Sequence, residues 1–286
     1  MPIANDNAFA LRYESVVTRE VTWHVESAGT GRVLLLLHGT GSSTHSFAEL
    51  LPLLATRYRV IAVDLPGHGK SEVHDERALS LTGMAHALAN LLNELDCQCE
   101  IIVGHSAGAA LASRMLLDQL CSASVLISIN GAFLPFGGPL GQFFSPVAKV
   151  LASSSFLSQV IARRARAPDA VERLLRSTGS VIDEQYVEGY RKLFRTESHV
   201  AATLGMMAKW DLWSLERDMP RLDTALHLLV GERDQTVPPE QANDVADAVR
   251  GARVVSLPRL GHLAHEEAPD QLAQQIFESV ERSLGE

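Results

Sequence analysis

Residues Glu100–Leu117 read EIIVGHSAGAALASRMLL, a buried-strand run that breaks at Gly104-His105-Ser106-Ala107-Gly108 and resumes at once as a run of helix formers. A serine between two glycines at a strand-to-helix turn has a specific chemical use. The turn holds the serine in a strained conformation with its hydroxyl raised above the sheet, and small neighbours are needed because the turn leaves no room for side chains. Ser106 is therefore the candidate nucleophile. The helix that follows opens with small residues, packs closely, and points its first N–H groups at the same spot. A Gly/Ser turn without chemistry is the alternative, and the strand before and helix after argue against it.

A serine hydroxyl is a poor nucleophile at neutral pH; it needs a base, and the base needs an orienting carboxylate. Both are expected downstream at strand ends, the acid before the histidine. Asp234 follows the strand-like ALHLLVG in GERDQTVPP, and His262 follows ARVVSLP in RLGHLAHEE. Glu232 competes for the acid role, but it lies nearer the strand, and the turn into TVPP favours Asp234. His265 competes with His262; it belongs to the start of the last helix and reads as a surface or capping residue. A metal reading of His262, His265 and Glu266 fails on spacing, since paired helical ligands sit four residues apart.

An acyl intermediate also needs N–H donors for its oxyanion, each worth roughly 3–4 kcal/mol in comparable sites. The backbone of Ala107, next after the nucleophile, is one. The second is expected in the Gly-rich turn His38-Gly39-Thr40-Gly41 after RVLLLLHG, with Thr40 N–H as the candidate. Asp64–Ser71, DLPGHGKS, fits no phosphate-loop spacing and reads as a turn shaping the mouth of the site.

Outward from this centre, apolar runs alternate with amphipathic segments, the pattern of a mostly parallel sheet with helices on both faces. VVTREVTWHVESAG reads as an opening antiparallel pair. Buried-strand runs then recur at RVLLLLHG, YRVIAVDL, EIIVGHS, SASVLISING, ALHLLVGERD and ARVVSLPRLG. The clearest helix carries Leu81, Met84, Ala85, Leu88, Leu91, Leu92 and Leu95 as one stripe. The rhythm breaks after Asn130-Gly131: no strand-like run appears until about Leu215, and several helices are expected from Val147 to about Trp213. The expected organisation is a core of 1–131 and 216–286 with a helical insertion, 132–215, capping the loop edge of the sheet.

Composition sets the outer limits. The 286 residues are 46% hydrophobic and 21% charged with a net charge of −9, ordinary for a globular protein and without the basic excess of a nucleic-acid binder. Cys97, Cys99 and Cys121 are too few for a disulfide framework, and Cys97-Gln98-Cys99 lacks a second half for a four-ligand metal site. MPIANDNAFALRYES has no basic-then-apolar order of a secretory signal, and no stretch approaches the roughly 20 apolar residues that span a bilayer. A cytoplasmic protein is expected, with no metal or other cofactor.

HGTG, DLPGHGKS, GHSAG, GERD and GH, in that order at strand ends, resemble the α/β-hydrolase superfamily over nearly the whole chain. Within it, LLLLHGTGSSTHSFAELLPLLA, VVSLPRLGHLAHEE, ISINGAFLPFGGPLG, VERLLRSTGS and MMAKWDLWSL resemble the magnesium-chelatase accessory proteins of bacteriochlorophyll biosynthesis. That resemblance implies a role at or near magnesium insertion into protoporphyrin IX, and with it magnesium chelatase or a tetrapyrrole as partner. Haloalkane and epoxide chemistry on this fold resembles families with an aspartate nucleophile, so Ser106 argues against both.

The insertion is expected to set the substrate. Its Leu, Val, Phe133, Phe136, Phe143, Phe144, Met206, Met207, Trp210 and Trp213 suit an apolar acyl or ring group, and the residues expected in the pocket are His38, Phe133, Met207 and Trp210. Helix-to-sheet packing is the competing reading for each of them. Arg163, Arg164 and Arg166 could meet a carboxylate, a partner's acidic face or an anionic membrane surface, or form a solvated helix end. Two functions follow: a serine hydrolase acting on a hydrophobic ester, or a non-catalytic tetrapyrrole-binding or chelatase accessory protein on the same fold.

Overall fold

A computed structural model describes residues 10–135, 155–164, 167 and 169–285. Its first third is β1 (Arg12–Val17), β2 (Val21–Ala28), β3 (Val33–Leu37), α1 (Leu50–Ala55), β4 (Arg59–Val63), β5 (Glu72–Val73) and α2 (Leu81–Glu94). The centre is β6 (Ile101–His105), α3 (Ala107–Leu117) and β7 (Val125–Ile129). Among the described residues five helices follow: α4 (Ser155–Arg164), α5 (Ala170–Arg176), α6 (Glu184–Arg195), α7 (Glu197–Lys209) and α8 (Leu212–Asp218). The chain then returns to the sheet with β8 (Ala225–Gly231), α9 (Gln241–Ala248), β9 (Arg253–Leu257), α10 (Ala264–Glu267) and α11 (Pro269–Leu284).

The sheet runs β1-β2-β4-β3-β6-β7-β8-β9, with β5 paired to β2. β2 is antiparallel to β1, β4 and β5, and every pair from β4 to β9 is parallel. β3, β4, β6, β7 and β8 are continuous apolar runs rather than alternating ones because both their faces are covered. Leu35, Leu37, Ile102 and Leu126 face one core with α2 and α3; Leu34, Leu36, Val103 and Ile127 face the other with α1 and α11. β5, two residues paired to Val21 and Thr22, is the strand that sequence periodicity does not reveal.

Because β3, β6, β7, β8 and β9 are parallel, the loops carrying Gly39, Ser106, Asn130, Asp234 and His262 all leave the same edge of the sheet, where such sheets hold their ligands. α7, from the stretch between β7 and β8, packs against that edge. It is seated on the Asp64–Ser71 turn: Gly69 N–H donates to His199 Nδ1 of α7 at 3.1 Å, and a β-carbon on Gly67 would stand 2.3 Å from that of Ala202. Among the described residues no helix is long and apolar enough to cross a membrane.

Candidate active site

Ser106 is the residue between the end of β6 and the start of α3, with φ 51° and ψ −115°. The two glycines beside it answer to space. A β-carbon on Gly104 would lie 2.5 Å from Ala109 N, and one on Gly108 would lie 2.2 Å from the Leu37 carbonyl oxygen of the next strand. Ser106 N–H donates to the Ile129 carbonyl at 3.0 Å, and Ala132 N–H donates to the Ser106 carbonyl at 3.1 Å. The strained turn is thus fixed from both sides by the end of β7.

Asp234 and His262 meet in the loops after β8 and β9. His262 Nδ1–H donates to Asp234 Oδ2 at 2.7 Å, and both residues are buried. The other carboxylate oxygen, Oδ1, accepts N–H bonds from Thr236 at 2.7 Å and Val237 at 2.9 Å; the Thr-Val-Pro-Pro turn therefore aims the acid. Glu232 lies elsewhere and accepts from Ser256 Oγ at 2.7 Å in an exposed contact. With Nδ1 so engaged, His262 Nε2 is the nitrogen left to take a proton. Among the described residues it is not hydrogen-bonded to Ser106 Oγ, a bond that in unliganded sites is commonly long and tightens with substrate.

Three positioning features lie outside the expected residue set. Asn130, at φ 47°, donates from Nδ2 to the carbonyls of Gly261 (2.9 Å) and His262 (2.8 Å), and its Oδ1 accepts from Gly231 N–H at 2.7 Å. One amide thus ties β7, β8 and the histidine loop. Thr178–Ser180, between α5 and α6, holds the Asp234 and His262 loops: the Thr178 carbonyl accepts from Gln235 N–H at 3.0 Å, and Ser180 Oγ accepts from Leu263 N–H at 2.8 Å. His105, inside the Gly104–Gly108 turn, donates from Nε2 to the His262 carbonyl at 3.0 Å and packs its ring between those of His262 (4.8 Å) and His265 (4.4 Å). Burial, reinforced by His265 and His262, holds His105 well below the ordinary histidine range, so it is neutral and acts by packing.

Behind this stack is a buried polar cluster. Glu266 Oε1 accepts from Ser46 Oγ and from Tyr190 Oη, and Ser46 also meets His265 Nε2 at 2.7 Å. His265 is fully buried, which corrects its reading as a surface or capping residue: its surroundings come from Ser46 and Phe47 near the start of the chain. Burial pushes Glu266 up to about 8 and His265 down to about 3, so both are neutral at pH 7.

A cavity of about 30 Å³ adjoins Ser106, lined among the described residues by Thr40, Ser106, Ala107, Ala132, Met206, Met207, Trp210 and Leu212. Gly39 approaches Ser106 so closely that a β-carbon there would lie 3.1 Å from the serine Cβ. Of the four expected pocket residues, Met207 and Trp210 are present. His38 is corrected to a structural role: fully buried, it donates from Nδ1 to the Gly39 carbonyl (2.8 Å) and accepts Leu65 N–H at Nε2 (2.9 Å), and burial lowers its pKa to about 3. Phe133 is also corrected, since it lines a separate cavity of about 20 Å³ with Ser128, Val237 and Gln241. Trp213 is 73% exposed, Arg163 and Arg164 are exposed at the end of α4, and Phe136, Phe143, Phe144 and Arg166 lie outside the described residues.

Replacing Asn130 with Ala removes both donors to the histidine loop and the acceptor for Gly231, and places an alanine at positive φ. A loss of about 2–3 kcal/mol is expected, read as an earlier midpoint in urea denaturation. A midpoint within experimental error of the wild type would show that the loops hold their positions without this amide.

Residues 34–275 match the alpha/beta hydrolase family. The chain is 38% identical over 277 residues to the magnesium-chelatase 30 kDa subunit of Rhodobacter capsulatus, covering 94% of this chain and 96% of that one. It is 29% identical to the pimeloyl-[acyl-carrier protein] methyl ester esterase of Aeromonas hydrophila, covering 91% of this chain and 98% of that one. Among solved structures, a serine hydrolase involved in carbazole degradation superposes with a TM-score of 0.76 at 20% identity, over 96% of this chain and 100% of that one. The extent of the family match and the parallel sheet lead to one assignment: this chain belongs to the alpha/beta hydrolase family.

Proposed function

We propose that the protein is a serine-dependent hydrolase acting on an ester or related acyl substrate. His262 Nε2 takes the Ser106 proton as Oγ attacks the acyl carbon, the N–H groups of Ala107 and Thr40 bind the oxyanion, and the alcohol leaves with the proton from His262. Water activated by His262 then releases the acid and restores Ser106. Asp234 holds the His262 tautomer and stabilises the imidazolium. In this reading residues 132–215 form a cap over the core of 1–131 and 216–286, and the protein works in the cytoplasm. The observation that carries the proposal is the buried His262–Asp234 hydrogen bond of 2.7 Å at the same sheet edge as a serine held at φ 51°.

Intact-mass spectrometry after fluorophosphonate treatment tests it without the natural substrate. A single adduct is expected, absent in Ser106→Ala and in His262→Ala. No adduct on folded wild-type protein would overturn the mechanism.

A second reading, an accessory protein of magnesium chelation in bacteriochlorophyll biosynthesis, is favoured by the 38% identity to the R. capsulatus subunit. A tetrapyrrole is far too large for the 30 Å³ cavity at the serine. The roomier place is a groove of about 520 Å³ between His45, Lys70 and the α6 residues Tyr186 and Lys192, within the size range of small-molecule sites. Absorbance titration with a carboxylated porphyrin tests this: saturable binding weakened by Lys192→Glu supports it, and unsaturable binding counts against it.

A further inference from the structure

We infer that His199 of α7 is a positioning residue for the oxyanion donor: acting through two planar peptides, it fixes the direction of the Thr40 N–H. This rests on the serine-hydrolase reading, in which that N–H binds the oxyanion, and adds to it a residue from the stretch between β7 and β8.

The tautomer of His199 is set by a backbone donor. Gly69 N–H donates to Nδ1 at 3.1 Å, so in the neutral ring the proton sits on Nε2. Nε2–H in turn donates to the Gly41 carbonyl at 3.2 Å. The ring is closely held: His199 is only 1% exposed, and the rings of His68 and Phe194 stand edge-on to it at 5.1 and 6.2 Å.

The backbone carries this orientation onward. A trans peptide is planar, its carbonyl and N–H point opposite ways, and fixing one fixes the other. The peptide whose carbonyl His199 holds carries Ser42 N–H, which donates to the Gly39 carbonyl at 3.2 Å. The peptide of that second carbonyl carries Thr40 N–H. The Ser42–Gly39 bond closes a tight turn whose third residue, Gly41, stands at φ 75°, a conformation that side chains resist.

The Gly39 carbonyl has a second donor in His38 Nδ1–H at 2.8 Å, so the core holds one end of the turn by itself. What His199 adds is the other end. Without it the Gly41–Ser42 plane is free to rotate, Ser42 N–H leaves the Gly39 carbonyl, and the Thr40 peptide keeps one hold in place of two. Hydrogen bonds in such a chain also polarise one another, which makes Thr40 N–H a better donor while the chain is intact.

The rate of fluorophosphonate labelling reads this relay without the natural substrate, because the phosphoryl oxygen takes the place of the oxyanion. The limiting rate kinact and the half-saturating concentration KI are measured for wild type, His199→Gln, His199→Asn and His199→Met, with urea denaturation of the same preparations. Gln places a donor at Nε2 and loses the Nδ1 acceptor; Asn places an acceptor at Nδ1 and loses the donor; Met has the length of Gln without a donor. Deleting an oxyanion donor costs about 10²–10³-fold, and misdirecting one is expected to cost about tenfold. That fall appears in kinact for Asn and Met with KI unchanged, while Gln labels close to the wild-type rate whatever its urea midpoint. Equal kinact in folded Gln and Asn variants, or a loss confined to KI, overturns the relay and leaves His199 as a residue that only seats α7. Where Asn does not fold, the Gln and Met pair decides in the same way. No adduct on folded wild type overturns the serine reading instead, and this inference with it.

Discussion

In Asp234→Asn, on the proposed serine-hydrolase mechanism, kcat/KM for ester hydrolysis is expected to fall about 10⁴-fold while the protein stays folded. The size of the effect follows from which way the new amide must face. Asp234 Oδ1 accepts two backbone N–H bonds, from Thr236 at 2.7 Å and Val237 at 2.9 Å, so an asparagine keeps its carbonyl oxygen there and places its NH₂ where Oδ2 was. That NH₂ is a donor facing His262 Nδ1, which now has to accept. The proton moves to Nε2, which can then no longer take the hydroxyl proton of Ser106. The turn's own bonds survive, so the thermal midpoint changes little while kcat collapses. A loss of less than tenfold would show that Asp234 does not set the His262 tautomer. A loss accompanied by an equally large fall in stability would assign the acid to holding the Thr236–Val237 turn.

The parts of this arrangement that were legible in the sequence are those specified by local chemistry. β3, β4, β6, β7 and β8 are continuous apolar runs because both faces are covered, and Gly104 and Gly108 mark the serine turn because backbone and strand leave no room there. Asp234 was favoured over Glu232 from the turn that follows it, and the structure brings Asp234 to His262. What the sequence hid depends on partners distant along the chain. Asn130 looked like the end of a strand, yet its amide reaches residues 101, 131 and 132 positions away. His38 looked like a pocket residue because it precedes the Gly-rich turn, whereas Leu65 N–H and the Gly39 carbonyl occupy both its nitrogens. His265 read as a surface or capping residue because the residues that enclose it, here Ser46 and Phe47, lie far from it along the chain.

That buried cluster gives the second large effect: Glu266→Gln is expected to match the wild type in stability near pH 5 and to exceed it by several kcal/mol at pH 9. The folded-state pKa of Glu266 lies at about 8 against an ordinary 4.5, through burial first and the nearby Glu267 to a lesser degree, opposed by the Ser46 and Tyr190 hydrogen bonds. The direction follows from proton counting. Between pH 4.5 and 8 the folded protein holds a proton that the unfolded chain has released, so the wild type loses stability as pH rises through this window and is level above it. At about 1.36 kcal/mol for each unit of displacement, the full excursion amounts to several kcal/mol. Glutamine keeps the Oε1 acceptor for Ser46 and Tyr190 and places its NH₂ at Oε2, an atom already without a partner, so the variant adds no new unpaired site. The neighbouring His265, lowered to about 3 by burial and by His262 and His45, costs both proteins stability as pH falls from 6.5 toward 3, and its contribution cancels in their difference. Urea denaturation of the two proteins at pH 5, 7 and 9 measures the effect. Curves that stay parallel across this range would mean that Glu266 is ionised in the folded protein, with the cluster around Tyr190 and Ser46 holding a charge instead of a proton.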